Sequence, residues 1–286
     1  MKIELVFSKF QGCGNDFIIV DELKGRRTKD SVRSKLAQSL TDRHFKVGAD
    51  GIIFVERAKG ADGSMRLFEP AGNEADMCGN GIRCVASYLS DKLGKNELDI
   101  LTRDGVKKIT MVGDEFRVDM GLIRTLRRDM REYVMDKGKP SDSMLMFPLR
   151  TRKGRLNASI VNSGEPHIVV RVSDVDPIDV PALGNEVNSD KKRFPKGVNL
   201  NLVEVVGPHD IKVRTYERGV YDETMACGTG ATACAAVALL LKWVKPGTVK
   251  VHPPGGTIHV EMERSGRAFM TGPARCEFEG SLVAEI

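Results

Sequence analysis

The feature that most constrains this chain is an internal repeat. Phe68-Glu69 closes a strand-like run, and after a short link through Gly72 and Glu74 comes Met77-Cys78-Gly79-Asn80-Gly81-Ile82-Arg83-Cys84. The same order returns as Tyr216-Glu217, then Gly219, then Glu223-Thr224-Met225-Ala226-Cys227-Gly228-Thr229-Gly230, ending at Cys234. The copies lie 149 residues apart in a chain of 286, close to half its length. Repetition at that spacing points to a duplicated domain, and at ~150 residues per domain two halves fill the chain.

Each copy opens an apolar helix. After Cys78, residues Ile82, Val85, Ala86, Leu89 and Leu93 recur at helical spacing, and Gly94 is placed to end the helix. After Cys227, Ala231, Cys234, Ala235, Ala238 and Leu241 do the same in a stretch that is apolar nearly all round. Such a helix is buried, and the pattern predicts it threaded through a cylinder of sheet. Short strand candidates surround both helices, at 17–20, 52–56, 65–68, 97–101, 107–112 and 116–120, and again at 159–161, 167–172, 199–205, 211–216, 248–252 and 257–262. One further helix is read at Val32, Leu36 and Leu40. Strand-rich halves with one buried helix each give an α+β fold of two pseudo-symmetric halves, each a β-barrel-like sheet around a central helix. The first half is expected over residues 1–121, joined by a C-terminal strand at 275–286, and the second over 122–274. The charged stretch 122–155 is expected to carry the crossover between them.

Composition narrows the class. The chain is 41% hydrophobic and 29% charged with 29 Gly and 12 Pro, which excludes a disordered or collagen-like chain. Its longest apolar run, 231–241, falls short of the ~18 residues of a membrane span, and no secretory leader pattern is visible, so a soluble, cytoplasmic protein without membrane partners is expected. A net charge of +5 spread over separate basic clusters without interleaved aromatics reads as solvated surface, not as a nucleic-acid face. None of the six cysteines forms a C-x-x-C pair, and Cys78 and Cys84 lie about 240° apart around a helix, so no metal site is expected.

The cysteine that opens a helix has a chemical advantage. It sits in the positive end of the helix dipole, which favours the thiolate, the form that acts as base or nucleophile. The glycines beside it bring backbone N–H groups close to a ligand and form a cradle for a carboxylate or phosphate. Two such thiols converging on one ligand from opposite sides would supply what an epimerase needs: one takes the α-proton, and the other delivers a proton to the opposite face. The resulting carbanion spreads into the carboxylate that the N–H groups hold, and no organic cofactor is demanded.

With these residues together, the sequence resembles the diaminopimelate epimerase family, a group of cofactor-independent epimerases and racemases. The resemblance rests on Lys9-Phe10-Gln11-Gly12-x-Gly14-Asn15-Asp16-Phe17, Arg43-His44-Phe45 with Gly48-Ala49-Asp50-Gly51, both cysteine motifs, Gly164-x-Pro166-His167 and Glu217-Arg218-Gly219, in the family's order along nearly the whole chain. It implies two barrel-like halves with the site in the cleft between them, conversion of L,L- to meso-2,6-diaminopimelate in lysine biosynthesis, and a homodimer. It implies Cys78 and Cys227 as the acid–base pair, with His167 and Glu217 tuning the thiols. Asn15 and Asn199 would bind polar groups of the substrate, Glu217 and Arg218 its distal amino-acid end, and Gly79, Asn80, Gly228 and Thr229 the reacting carboxylate.

Structural alternatives stand beside these roles: a turn for Asn15, a strand end for Asn199, a structural hydrogen bond for His167, and a surface ion pair for Glu217 and Arg218. Cys84 and Cys234 read as core, Cys13 and Cys276 as incidental. Three positions depart from the family pattern, where Gly51 replaces Gln and Glu69 and Glu165 replace Asn. A carboxylate in place of an amide accepts but cannot donate, which suits an ammonium group and not a carboxylate. The alternatives are therefore a racemase or epimerase of another amino acid, of the histidine or hydroxyproline type, a same-fold isomerase without thiol chemistry, or a non-catalytic anion-binding module.

Overall fold

The computed structural model describes residues 2–152 and 154–286. The chain divides into two compact units, one running to Asp119 and taking in Thr271–Ile286, the other Met120–Met270.

In the first unit, β1 (Lys2–Gly12) turns back into β2 (Asn15–Glu22), and α1 (Asp30–Leu40) leads to β3 (Gly51–Glu56), which lies parallel to β2. Next, β4 (Gly63–Phe68) runs antiparallel to β3 and turns into the short β5 (Glu74–Ala75). Then come α2 (Gly79–Leu93), β6 (Glu97–Thr102) parallel to β4, β7 (Gly105–Val112) and β8 (Glu115–Leu122). The run Gly79–Val85 is buried on every side, and Gly94 ends α2 in the left-handed conformation (φ 66°) that glycine adopts without strain.

The second unit repeats this order. β9 (Phe147–Thr151) and β10 (Gly154–Asn162) pair antiparallel, and β11 (Pro166–Arg171) pairs antiparallel to β10. After α3 (Val180–Ser189), β12 (Asn199–Gly207) lies parallel to β11. β13 (Asp210–Glu217), β14 (Asp222–Thr224), α4 (Gly228–Leu240), β15 (Val249–His252) and β16 (Ile258–Met262) then pair as β4 to β7 do, with β15 parallel to β13. Every residue of α4 from Gly228 to Ala238 is buried, as an apolar circumference requires. β17 (Arg267–Pro273) and β18 (Arg275–Glu285) complete the chain, and β18 pairs antiparallel with β1 as β9 does with β10.

The registers make the repeat exact at the level of single residues. Phe17 opposes Gly51 where His167 opposes Asn199. Ile53 opposes Leu67 where Asn201 opposes Thr215. Each unit also carries a two-pronged ion pair that ties one long strand, β4 or β13, to the short strand before the cysteine. Arg66 grips Glu74 at 2.7 and 2.8 Å, and Arg214 grips Glu223 at 2.7 and 2.6 Å. A guanidinium fork matched to a carboxylate fixes direction as well as distance, so these pairs set how the chain enters each buried helix.

Most strands and helices follow the sequence reading, and three departures stand out. β1 is a full eleven-residue strand, hidden because its first residues mix charge with apolar side chains. α3 was not expected; its periodicity is interrupted by Gly184, against which the Tyr216 ring packs so closely that a Cβ would lie 2.2 Å from it. The stretch 122–155 is more than a crossover: it holds a 3-10 turn (Arg127–Met130) and β9, and it buries Met130, Val134, Met144, Phe147 and Leu149 in the core of the second unit. Charged residues between those positions mask the apolar ones. Among the described residues no helix is long and apolar enough to cross a membrane.

Candidate active site

In the first unit Cys78 occupies the N-cap of α2 in an extended conformation (φ −137°, ψ 123°), and its Sγ accepts the Gly81 N–H at 3.4 Å. This is the bond a Ser or Thr cap makes, here made by a thiol. Facing it is Asn15, at the start of β2. The Asn15 Oδ1 receives the Cys78 S–H at 3.7 Å and the Asn80 amide at 3.2 Å, while its Nδ2 donates to Asp50 Oδ2 at 2.6 Å.

Behind Asn15 stands a charged group of four. Arg43 bridges Asp16 (2.7 Å) and Asp50 (2.6 Å), and the buried Lys9 reaches Asp16 at 2.8 Å. Burial opposes ionisation of Asp16, but the bonds from Arg43 and Lys9 outweigh it and hold the carboxyl below its ordinary range. Arg83, fully buried, donates to Gly79 O at 3.3 Å and to Pro273 O at 3.2 Å, fixing the first turn of α2.

In the second unit Cys227 caps α4 in the same way (φ −120°, ψ 114°) and accepts the Gly230 N–H at 3.4 Å. The glycine is required: a Cβ at Gly230 would meet Asn201 Oδ1 at 2.7 Å. Here the neighbours are neutral. Thr229 Oγ1 lies 3.4 Å from Cys227 Sγ and 3.0 Å from His167 Nε2, and His167 Nδ1 lies 3.1 Å from the Asn201 amide nitrogen. Ser163 holds the Thr229 carbonyl at 2.8 Å. His167 is wholly buried. Desolvation, reinforced by the Arg218 charge, pushes its pKa down to about 3, so the ring is neutral at physiological pH.

Asn199 and Arg218 meet through the backbone: Asn199 Oδ1 accepts the Arg218 N–H at 2.8 Å. The Arg218 guanidinium turns to Glu165, with Nε at 2.9 Å and Nη2 closer still, and lies over the Tyr133 ring at 5.1 Å. Its carboxylate partner is thus Glu165, on the turn before β11, and Glu217 instead accepts the Thr224 hydroxyl. Glu69 is tied into its own turn by the Asn73 amide. At Gly51 a Cβ would meet Leu67 at 2.8 Å, so the side chain of Leu67 fills the room that a longer residue at 51 would need.

Each unit therefore assembles its own share of the expected residues. Cys78, Gly79, Asn80 and Asn15 come together in the first. Cys227, Gly228, Thr229, His167, Asn199 and Arg218 come together in the second, with Glu217 beside them in sequence. The sequence reading passed over Asn201, quoted Asp50 only as part of a motif, and noted Glu165 as a departure without giving it a role. Strand alternation held a signal for Asn201, which shares a face of β12 with Asn199.

The chain is similar to known proteins along nearly its whole length. The family model described as diaminopimelate epimerase matches residues 7–126 and 159–277. A diaminopimelate epimerase of Pelotomaculum thermopropionicum is 37% identical over 282 residues, covering 96% of this chain and 97% of the relative. One from Methanothrix thermoacetophila is 38% identical over 289 residues, covering 99% and 98%. Among solved structures, a hydroxyproline epimerase from Agrobacterium vitis superposes with a TM-score of 0.68 over 99% of this chain and 93% of its own, at 14% identity, which speaks to the fold alone.

Proposed function

The chain belongs to the diaminopimelate epimerase family, and from that premise we propose that it interconverts L,L- and meso-2,6-diaminopimelate, a step of lysine biosynthesis, by a two-base mechanism at Cys78 and Cys227. A thiolate at one of them takes the α-hydrogen as a proton, breaking C–H and forming S–H. The thiol at the other gives its proton to the opposite face of the same carbon. The electron pair left on the α-carbon is spread into the carboxylate. The N–H groups of Gly79 and Asn80, and of Gly228 and Thr229, lie at helix N-termini suited to that growing negative charge.

The observation that carries this reading is the matched pair of cysteine N-caps, each accepting the N–H three residues on at 3.4 Å. A core cysteine has no need of that geometry, and Cys84 and Cys234, inside the same helices, lack it and are fully buried. His167 acts on Cys227 through Thr229. Asn15 and Asn199 present amides to the substrate, and Glu217 supports the second thiol's surroundings.

The distal amino-acid end falls to Arg218 for its carboxylate, and Glu165, held against Arg218, is suited to its ammonium group. A receptor for a second zwitterion favours diaminopimelate over the smaller amino acids of the alternative readings. The enzyme is proposed to work in the cytoplasm as a homodimer.

Incubation with L,L-diaminopimelate in D2O under reducing conditions tests the proposal. Deuterium should enter the α-position with epimerisation, and epimerisation should fall by roughly a thousandfold or more in Cys78→Ala and in Cys227→Ala. Epimerisation that survives in either variant would sink the two-thiol mechanism, and a folded, reduced enzyme that exchanges nothing would reject the substrate.

A further inference from the structure

We propose that the two thiols are unequal in the resting enzyme, Cys227 standing as the thiolate and Cys78 as the thiol, and that the direction of the hydrogen bonds behind each one sets this order. The inference rests on the two-thiol reading above and adds to it which thiol holds the proton before substrate arrives.

The direction can be followed bond by bond in the second unit. The Asn201 amide nitrogen donates to the backbone carbonyl of Ile168 at 3.0 Å, and a carbonyl can only accept. The Asn201 oxygen accepts the Thr215 hydroxyl at 3.0 Å. The amide is thereby fixed in orientation, and its second N–H points at His167 Nδ1 at 3.1 Å. Nδ1 must then be the accepting nitrogen of the imidazole. A neutral ring with Nδ1 bare carries its proton on Nε2.

Nε2–H faces Thr229 Oγ1 at 3.0 Å, so the Thr229 oxygen accepts there and its own proton is left to point at Cys227 Sγ, 3.4 Å away. The Asn199 amide nitrogen stands farther from the ring, at 3.5 Å, with its oxygen engaged by the Arg218 backbone. Cys227 Sγ thus receives two donors, the Thr229 hydroxyl and the Gly230 N–H. A sulfur that accepts twice at a helix N-terminus is the environment of a thiolate.

The first unit runs the other way. The Asn15 amide nitrogen donates to the Asp50 carboxylate at 2.6 Å, an acceptor beyond doubt, so the Asn15 oxygen is what faces Cys78. That oxygen has no proton to give. It accepts the S–H of Cys78, and the bond exists only while the sulfur keeps its proton. The Asp50 charge behind it is countered by Arg43 at 2.6 Å. The positions that correspond to His167, Asn201 and Thr215 hold Phe17, Ile53 and Leu67, none of which can donate. Chemistry follows at once: the resting enzyme is ready to abstract with Cys227 and to protonate with Cys78. One turnover inverts the two states, and proton exchange with water restores them.

The test is the ultraviolet absorbance of thiolate, titrated with pH in the intact, reduced protein. The other cysteines contribute little near neutrality. Burial drives the thiols of Cys84 and Cys234 far above the ordinary range, and burial raises Cys13 and Cys276 as well. About one thiolate per chain is expected at neutral pH in the wild type. It should persist in Cys78→Ser and disappear in Cys227→Ser. Thr229→Val should shift the titration upward, and Thr229→Ser, which keeps the hydroxyl, should leave it in place, a split that a packing role would not produce.

A signal lost with Cys78 and kept with Cys227 removed, a signal lost equally from both, or none in the wild type would each overturn the assignment. The same variants are assayed for epimerisation. Epimerisation abolished in both with the thiolate on Cys78 defeats the order alone, whereas epimerisation surviving in either defeats the function itself.

Discussion

The helices capped by Cys78 and Cys227 begin with the same hydrogen bond, are entered through the same kind of arginine–glutamate fork, and sit behind strands paired in the same order. What touches the two sulfurs differs. Cys78 faces an amide backed by four charged side chains, Asp50, Arg43, Asp16 and Lys9. Cys227 faces a chain of neutral groups, Thr229, His167, Asn201 and Thr215, sunk in the interior. The duplicated frame has therefore been kept where it holds a helix end in place. It has diverged at three strand positions behind it, where Phe17, Ile53 and Leu67 answer to His167, Asn201 and Thr215. A symmetric scaffold carrying unequal surroundings can give two identical side chains opposite duties, as carboxylate pairs do when their environments separate them.

That contrast can be broken most sharply at His167. Placing in the second unit what the first already has, His167→Phe, leaves Asn201 and Thr229 without their shared partner; epimerisation should fall by roughly a hundredfold, about 2.7 kcal/mol of barrier. Steady-state rates in both directions, with circular dichroism as the control for folding, read this out. An effect no larger than that of an exposed substitution would dissolve the distinction between the two thiol sites.

The forks come next. Arg214 holds Glu223 and also the carbonyls of Val175 and Ile178, each at 2.8 Å, whereas Arg66 holds Glu74 and Asp30. Because lost bonds to buried carbonyls leave them unsatisfied, Arg214→Met should cost about 3 kcal/mol of unfolding free energy and Arg66→Met about 2. Equal costs in denaturant titrations would show that the shared fork alone matters.

A smaller effect is expected behind Asn15. Asp50→Asn keeps the size but turns a strict acceptor into one that can flip, releasing the Asn15 amide; turnover should drop about tenfold with little change in stability. Asp50→Glu, which restores an acceptor, should recover part of it.

A last effect is one of pH. In the folded protein His167 stays neutral down to about 3, against an ordinary 6.5. Below 6.5 the unfolded chain binds a proton that the folded one refuses. The stability tied to the neutral ring is thus complete above 6.5 and is lost as the pH falls from there toward 3, by up to about 1.4 kcal/mol per pH unit. His167→Phe should flatten that part of the profile, and an unchanged slope would mean that the ring gains its proton without unfolding.

Much of the fold was legible because it depends on patterns that repeat along the chain. Apolar spacing after Cys78 and Cys227, glycine punctuation, and alternating strand residues each report a local preference. β1, α3 and the ordered part of 122–155 escaped for a matching reason: their apolar residues are few, interleaved with charge, and meaningful only against neighbours distant in sequence, as Phe147 and Met144 are against Val170 and Leu200 in one core. At the site, the residues expected to touch substrate were nameable because their types are chemically demanding. The parts played by Asp50 and Asn201 were not, since an aspartate on a turn or an asparagine on a strand has many ordinary uses.

By itself, then, the sequence determined that the chain is a duplicated α+β fold with a cysteine at the head of a buried helix in each half, because helix periodicity and capping are local matters written in consecutive residues. Which way each hydrogen bond points behind those cysteines was decided only by the tertiary structure. The orientation of Asn201 depends on Ile168 and Thr215, and that of Asn15 on Asp50, contacts that exist only once strands far apart in the chain lie side by side. A thiol's readiness to give or take a proton is set by those few donors and acceptors within hydrogen-bonding reach, and no spacing along the chain encodes them.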